Sequence, residues 1–468
     1  MISQRPLCCL LSIFPHRLRL FRTLSGRTMD LEPTVKTAVW PVDATKLGKV
    51  AVVPHDNDHL GELVIELDSH SVDAQRIQKA ADQLRHSDIP VAFPTETVYG
   101  LGADATRSEA VKGIYKAKQR PADNPLIVHI ASLGQLRRLL QPFHANGNGA
   151  AADQIPAIYE PLIRRFWPGP LTIILPTPQD STLAHEVTAD LGTFGARMPR
   201  NVLALALIKL SDKPIAAPSA NASTKPSPTA AEHVLYDLDG RIETIIDGGP
   251  CTVGVESTVV DGLSDPPSIL RPGGISLEQL RECPGWERTE VGYKDSSEKG
   301  TKPKAPGMKY RHYAPKATVM LFERGQKLDK ANEVLRTSSK IGLVRTKGWQ
   351  VKKHRDSVQI TQEDPKAPQS THEAEMQPGY KGMLAELQNQ ASNAPQTTYS
   401  LSNDGTLIDI QLGPRTSDIA RGIFSALRDL DRQDVETILV EGVSDDEEDV
   451  AAAVMNRLRK AAEVKIDA

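Results

Sequence analysis

The sequence predicts an α/β protein of at least two domains, and three observations carry that reading. Short apolar runs rich in Val, Ile and Leu alternate with stretches whose apolar residues recur every three or four positions, the patterns of buried strands and amphipathic helices. The length of 468 residues exceeds what one domain of ~100–200 residues holds. The texture then changes after Cys283, where Gly, Lys, Ser, Glu and Pro dominate up to Pro306, before a second alternation begins at Thr318.

In chain order, the first legible helix starts at Asp73 and carries Ile77, Ala80, Ala81 and Leu84 on one face. A β run from Ile89 to Phe93 ends at Pro94 and opens onto the polar Thr95-Glu96-Thr97. Thr106 and Glu109 have capping-box spacing, which predicts a helix through Val111, Ile114 and Tyr115 that ends in Lys116, Lys118 and Arg120 and is closed by Pro121. Further strands are expected from Leu126 to Ile130, Leu171 to Leu175, Ile215 to Ala217, Thr244 to Ile246, Ser257 to Val260 and Ser268 to Leu270, with helices near Val202 to Leu210 and Ala230 to Leu238. The resulting division is a leader and extension (1–69), a first domain (70–282), a linker (283–316) and a second α/β domain (317–468). Within the last, strands are expected at Thr318 to Leu321, Ile341 to Val344 and Thr437 to Val440, and helices around Ile419 to Leu430 and Val450 to Leu458. The polar, pattern-poor stretch from Lys347 to Pro395 reads as an inserted loop.

Composition narrows the function. A net charge of −3 gives no global basic field for nucleic acid, so any RNA contact would be local. Cys8, Cys9, Cys251 and Cys283 form neither a Cys-x-x-Cys nor a metal-spaced cluster, so free thiols in a reducing compartment are expected. No apolar run approaches the ~20 residues of a membrane span, so no membrane partner is expected. Before Asp30 there is no acid, while Arg5, Arg17, Arg19, Arg22 and Arg27 punctuate Leu, Ile and Phe ahead of Met29. That is a presequence-like composition, interrupted by Pro6 and Pro15: mitochondrial localisation is expected from Met1 and cytoplasmic localisation from Met29.

Walker-type and kinase signatures are absent. Gly100-Leu101-Gly102-Ala103-Asp104-Ala105 fits a loose dinucleotide loop, but no helix opens on it, so these glycines read as a tight, closely packed turn. More telling are polar loops at the ends of buried elements. Lys118 and Arg120, with Asn124 nearby, could neutralise phosphates or simply solvate a helix end. Ser219-Ala220-Asn221 follows a strand and Pro218, where ligands bind in open α/β sheets. Arg197, in Gly195-Ala196-Arg197-Met198-Pro199, can grip a carboxylate with its fork of donors. His129 lies inside an apolar run, the setting of an ordinary core histidine.

Taken together and in order, these motifs are specific. Pro94-Thr95-Glu96-Thr97-Val98-Tyr99-Gly100-Leu101, Lys118-Gln119-Arg120-Pro121, Asn124-Pro125-Leu126, Phe166-Trp167-Pro168-Gly169-Pro170-Leu171-Thr172, Gly195 to Pro199, Pro218-Ser219-Ala220-Asn221, Glu256-Ser257-Thr258-Val259 and Arg271-Pro272-Gly273 follow one another. The stretch from about residue 70 to 282 that holds them resembles the YrdC-like family. The segment Pro306-Gly307-Met308-Lys309-Tyr310-Arg311-His312-Tyr313-Ala314-Pro315 and the chain beyond it resemble the family's longer, two-domain threonylcarbamoyl-AMP synthases. The resemblance implies an open twisted α/β sheet followed by a smaller Rossmann-like domain.

It also implies roles. Threonine would be held by Thr97, His129, Arg197 and Ser257, with backbone near Ala217. ATP would be surrounded by Lys118, Arg120, Asn124, Thr193, Ser219, Asn221, Ser227 and Arg271, with Lys118, Arg120, Ser219 and Asn221 as the catalytic set and Tyr310 and Tyr313 on a lid. The implied reaction consumes L-threonine, bicarbonate and ATP, with Mg2+ carried by the nucleotide, and makes threonylcarbamoyl-adenylate for a transfer RNA threonylcarbamoyl transferase. A weak contact with tRNA itself is compatible with it. The rival reading is an RNA-binding module of the same fold without turnover, which the near-neutral charge disfavours.

Overall fold

The computed structural model describes residues 35–55, 58–121, 123–141, 154–293, 313–326, 328–354, 357–362, 379, 383, 394–447 and 450–466. The leader, Tyr310 and most of the linker lie outside the described residues. The first sheet is built from β1 (Ala38–Pro41), β4 (Val91–Phe93), β5 (Gly100–Asp104), β6 (Ile127–His129), β7 (Leu171–Pro176), β8 (Thr193–Arg197), β9 (Ile215–Ala216), β10 (Thr244–Asp247), β11 (Thr258–Asp261), β12 (Ser268–Arg271) and β13 (Glu290–Val291). Its order is β1-β10-β4-β5-β9-β6-β8-β7-β11-β12-β13. Strands β2 (Gly48–His55) and β3 (Asp58–Leu67) form a separate hairpin. Thus β1 supplies an edge strand from ahead of residue 70, in parallel register with β10.

Helix α1 (Val72–His86) is capped by the Ser71 hydroxyl and buries Ile77, Ala80, Ala81 and Leu84, the face that its periodicity predicts. The capping box expected at Thr106 is not formed. Helix α2 (Ser108–Lys118) has Arg107 at its N-cap, and the Thr106 hydroxyl and amide instead donate to Asp104 Oδ1 at 2.7 and 2.9 Å, closing the turn after β5. Gly100 to Asp104 is a second departure: it is a strand, paired antiparallel to β4 and β9, and not a turn. Glycine is required there for close approach, since a Cβ on Gly102 would meet Phe93 Cε1 at 2.6 Å and Ile215 Cγ2 at 2.8 Å.

The second sheet contains β14 (Thr318–Phe322), β15 (Lys340–Arg345), β18 (Gln396–Ser400), β19 (Thr406–Gln411), β20 (Thr437–Glu441) and β21 (Val464–Ile466), ordered β18-β19-β15-β20-β14-β21. All pairs are parallel except the β18 edge. Alternate residues of β14 serve opposite layers. Val319 and Leu321 join Ile423, Phe424 and Leu427 of the Thr416–Arg432 helix and Val454 and Leu458 of the Ala451–Ala461 helix. Met320 and Phe322 join Ala331, Leu335, Trp349 and Ile360 on the other face. The stretch from Lys347, read as an inserted loop, begins instead with a hairpin, β16 (Trp349–His354) and β17 (Ser357–Gln362). Its only apolar signal is one side of each strand, Trp349 and Val351 against Val358 and Ile360.

The described residues form one compact unit, in which the Thr416–Arg432 helix rests on loops of the first sheet. Val98, Val253 and Val255 pack into its apolar cluster. Arg428 makes a buried ion pair with Asp237 at 2.8 Å. Gly254, at φ 83°, lies so close that a Cβ would be 2.3 Å from Arg421 Cα.

Candidate active site

Loops that leave the first sheet converge on a cleft, the concave setting in which small-molecule sites form. Its walls come from the turn after β4, the end of α2, the ends of β6, β8 and β12, the turn after β9, and Tyr313. Among the described residues, Lys118, Arg120, Arg197, Lys225 and Arg271 line it against one carboxylate, Glu256, so the lining suits a polyanion.

On one side, Lys118 is 2% exposed. Its Nζ donates to the carbonyls of Ser219 and Asn221, the latter at 2.6 Å, and so ties the Ser219–Asn221 turn to the end of α2. Ser219 Oγ donates to Asn221 Oδ1 at 2.5 Å, and Asn221 Nδ2 donates to the Lys225 carbonyl at 3.0 Å. Burial, then the neighbouring Arg120, hold the Lys118 ammonium well below the usual lysine range, with Asp237 opposing. Arg120 is half-buried at the cleft and reaches the Pro125 carbonyl at 3.4 Å.

On the other side, Arg197 is held from three directions. Its Nη2 lies 2.6 Å from Glu96 Oε1 in a buried ion pair, Nη1 donates to Thr97 Oγ1 at 2.9 Å, and Nε donates to the Gly169 carbonyl at 3.1 Å. The pairing of β6 with β8 sets His129 beside Arg197. Burial, then the Arg197 charge, push His129 down to about 3, so its imidazole is neutral. Ser257 Oγ lies 2.8 Å from Thr172 Oγ1, and Arg271 Nη2 donates to the Ser257 carbonyl at 2.9 Å and hydroxyl at 3.0 Å. Burial draws Arg271 down to about 10, with Glu256 opposing.

Residues 83–273 match a family model described as telomere recombination, and residues 275–463 match the threonylcarbamoyl-AMP synthase C-terminal domain. The threonylcarbamoyl-AMP synthase of Schizosaccharomyces pombe is 44% identical over 451 residues, covering 92% of this chain and 98% of that one. The chain belongs to the threonylcarbamoyl-AMP synthase family. A second synthase of that name, from Bacillus subtilis, is 52% identical over 256 residues, covering 55% of this chain and 69% of its own. The crystal structure of P. abyssi Sua5 complexed with L-threonine superposes with a TM-score of 0.63 at 39% identity, over 84% of this chain and 96% of that one.

Of the residues that the family resemblance singles out, Thr97, Lys118, Arg120, His129, Arg197, Ala217, Ser219, Asn221, Ser227, Ser257, Arg271 and Tyr313 line this one cleft. Asn124 and Thr193 do not. Asn124 is buried beneath Tyr115, whose hydroxyl donates to its carbonyl at 3.0 Å, and its Oδ1 has no hydrogen-bond partner. Thr193 starts β8, opposite Pro176, four residues before Arg197. Sequence reasoning missed Lys225 and the acids Glu96 and Glu256. A carboxylate between two threonines, or between Val255 and Ser257, was the available signal for the acids. Arg457, whose Nε donates to Glu256 Oε2 at 2.9 Å from the Ala451–Ala461 helix, carries no such signal, since its helix reads as an ordinary amphipathic one.

Proposed function

We propose that the cleft makes L-threonylcarbamoyl-adenylate and pyrophosphate from L-threonine, bicarbonate and ATP, for threonylcarbamoyladenosine in tRNAs that read codons starting with A. The observation that carries this is the meeting, in one cavity, of a carboxylate-gripping group around Arg197 with a phosphate-suited group around Lys118 and Arg120. The threonine amine joins the bicarbonate carbon with loss of water, giving an N-carboxylate. That carboxylate attacks the α-phosphate of ATP and pyrophosphate leaves, so no covalent nucleophile on the protein is needed. The protein positions the reactants and offsets charge as it shifts to the leaving pyrophosphate.

Arg197 and Thr97 take the threonine carboxylate and hydroxyl region, and neutral His129 adds no competing charge there. Arg120, with Ser219 and Asn221 held by Lys118, faces the phosphates. Magnesium enters as part of the ATP substrate. The one lining carboxylate among the described residues, Glu256, is already engaged by Ser227 and Arg457, so the fit is to a metal held on phosphate oxygens. The adenylate passes to a tRNA threonylcarbamoyl transferase, with at most a weak contact to tRNA. The test is pyrophosphate release that depends on threonine and bicarbonate, with the adenylate identified by mass. Tight, salt-sensitive RNA binding without such release would overturn the reading.

A further inference from the structure

Arg457 sits on the Ala451–Ala461 helix of the second sheet and is 1% exposed. It does not line the cleft, yet it reaches the back of the cleft wall. Its Nε donates to Glu256 Oε2 at 2.9 Å, and its guanidinium carbon lies 5.7 Å from the centroid of the Tyr313 ring. The Ser227 hydroxyl donates to the other oxygen of Glu256. The next residue, Ser257, receives Arg271 on both its carbonyl and its hydroxyl. Glu256, Ser227, Ser257, Arg271 and Tyr313 all face the cleft.

We propose that Arg457 is a positioning residue for ATP: by neutralising and orienting Glu256 from behind, it fixes Ser227 and keeps Arg271 directed at Ser257 and the cleft. A carboxylate this deeply buried cannot stay charged without a cation and donors. After Arg457, the cation with the most influence on Glu256 is Arg271. Removal of Arg457 therefore draws Arg271 toward Glu256 and off Ser257, and loosens one whole wall of the nucleotide site. Stability alone does not account for the pair, because a buried ion pair recovers little more than the desolvation of its charges. The second sheet thereby contributes to the cleft through a side chain that touches no substrate.

The inference rests on the synthase reading, and the experiment separates the two. Threonine-dependent pyrophosphate release is measured for the full chain and for Arg457→Ala, Arg457→Lys and the neutral pair Glu256→Gln/Arg457→Met, with melting curves for each. Absence of release by the unaltered chain counts against the synthase reading itself. With release established, Arg457→Ala is expected to raise the KM for ATP about tenfold or more, with a smaller change for threonine, and Arg457→Lys to recover part of it. The neutral pair removes both partners of the buried ion pair together, so it is expected to fold even where Arg457→Ala does not. It should still show the raised KM for ATP, because Ser227 and Arg271 have lost their orienting group. A neutral pair with unchanged KM and kcat would reduce Arg457 to a docking residue and overturn the inference, as would an unchanged KM in a folded Arg457→Ala.

Discussion

In the proposed threonine site, Arg197 is held before any substrate arrives, since Glu96, Thr97 and the Gly169 carbonyl fix the guanidinium in place. Such preorganisation lowers the cost of ordering on binding. Arg197→Ala should weaken threonine binding at least ~10-fold, about 1.4 kcal/mol, as calorimetry would show directly. Lys118, the last residue of α2, and Arg120, two positions beyond it, should separate. Arg120→Ala is expected to cut pyrophosphate release ~10-fold or more with little change in melting. Lys118→Ala should lower both, because its ammonium also anchors the Ser219–Asn221 turn. Equal melting of the two variants would show that the anchor is unimportant. The buried imidazoles give a pH dependence. His129 and His233 are both held near 3 in the fold, against about 6.5 when unfolded. The unfolded chain thus binds more protons between those values, so their effect on stability is absent above about pH 6.5 and grows more unfavourable toward pH 3. Substitution of either histidine by Gln should flatten the acid side of the melting profile, and an unaltered profile in both would count against the assignment. Most of the residues that line the cleft were legible because each sits in a local motif, but Lys225 and Glu256 were not. Glu256 and Arg457 meet across 201 positions, a separation that no local pattern encodes.

At the scale of elements, periodicity identified those with one wet face and failed where both faces are buried or polar. The α1 stripe is plain in the sequence, but all five residues of β5 are buried and two are glycine, so the strand reads as a turn. The β16–β17 hairpin fails the other way, with its apolar side interrupted by Lys353 and Gln362 and its other side polar throughout. Tyr313, the part of the suggested lid that is described, takes φ 70°, rare for a residue with a side chain. Its ring stacks on Phe424 at 5.3 Å, lines the cleft and lies within reach of Arg457. It both docks the second sheet and walls the site. Tyr313→Ala should therefore lower stability by about 3 kcal/mol, as for other buried aromatics, and also reduce turnover sharply. Denaturant titration alongside pyrophosphate release checks both, and normal turnover at reduced stability would leave the residue with docking alone.

For the molecule as a whole, the question is how the second sheet acts on a site built from the first. The loop from Val253 to Ser257 is the physical link. Val253 and Gly254 donate their amides to the carbonyls of Glu96 and Thr97, at 2.7 and 3.1 Å, so this loop braces the turn that holds Arg197. Its outer side meets the Thr416–Arg432 helix, with the Arg421 guanidinium donating to the Thr252 carbonyl at 3.1 Å. Gly254 permits that approach twice over, through its φ of 83° and through its lack of a Cβ. In Gly254→Ala the added carbon falls 2.3 Å from the Arg421 Cα and 2.5 Å from the Ala420 carbonyl oxygen, backbone atoms that cannot rotate away. Either the helix lifts or the loop moves inward, and the buried Arg428–Asp237 pair resists the first course. The displacement should then reach Glu96 and Thr97. Gly254→Ala is expected to lower the melting temperature and to weaken threonine affinity several-fold, although residue 254 does not line the cleft. A lower melting temperature with full threonine affinity would show that the helix yields and the loop does not, and that the second sheet does not act on the threonine side of the site by this route.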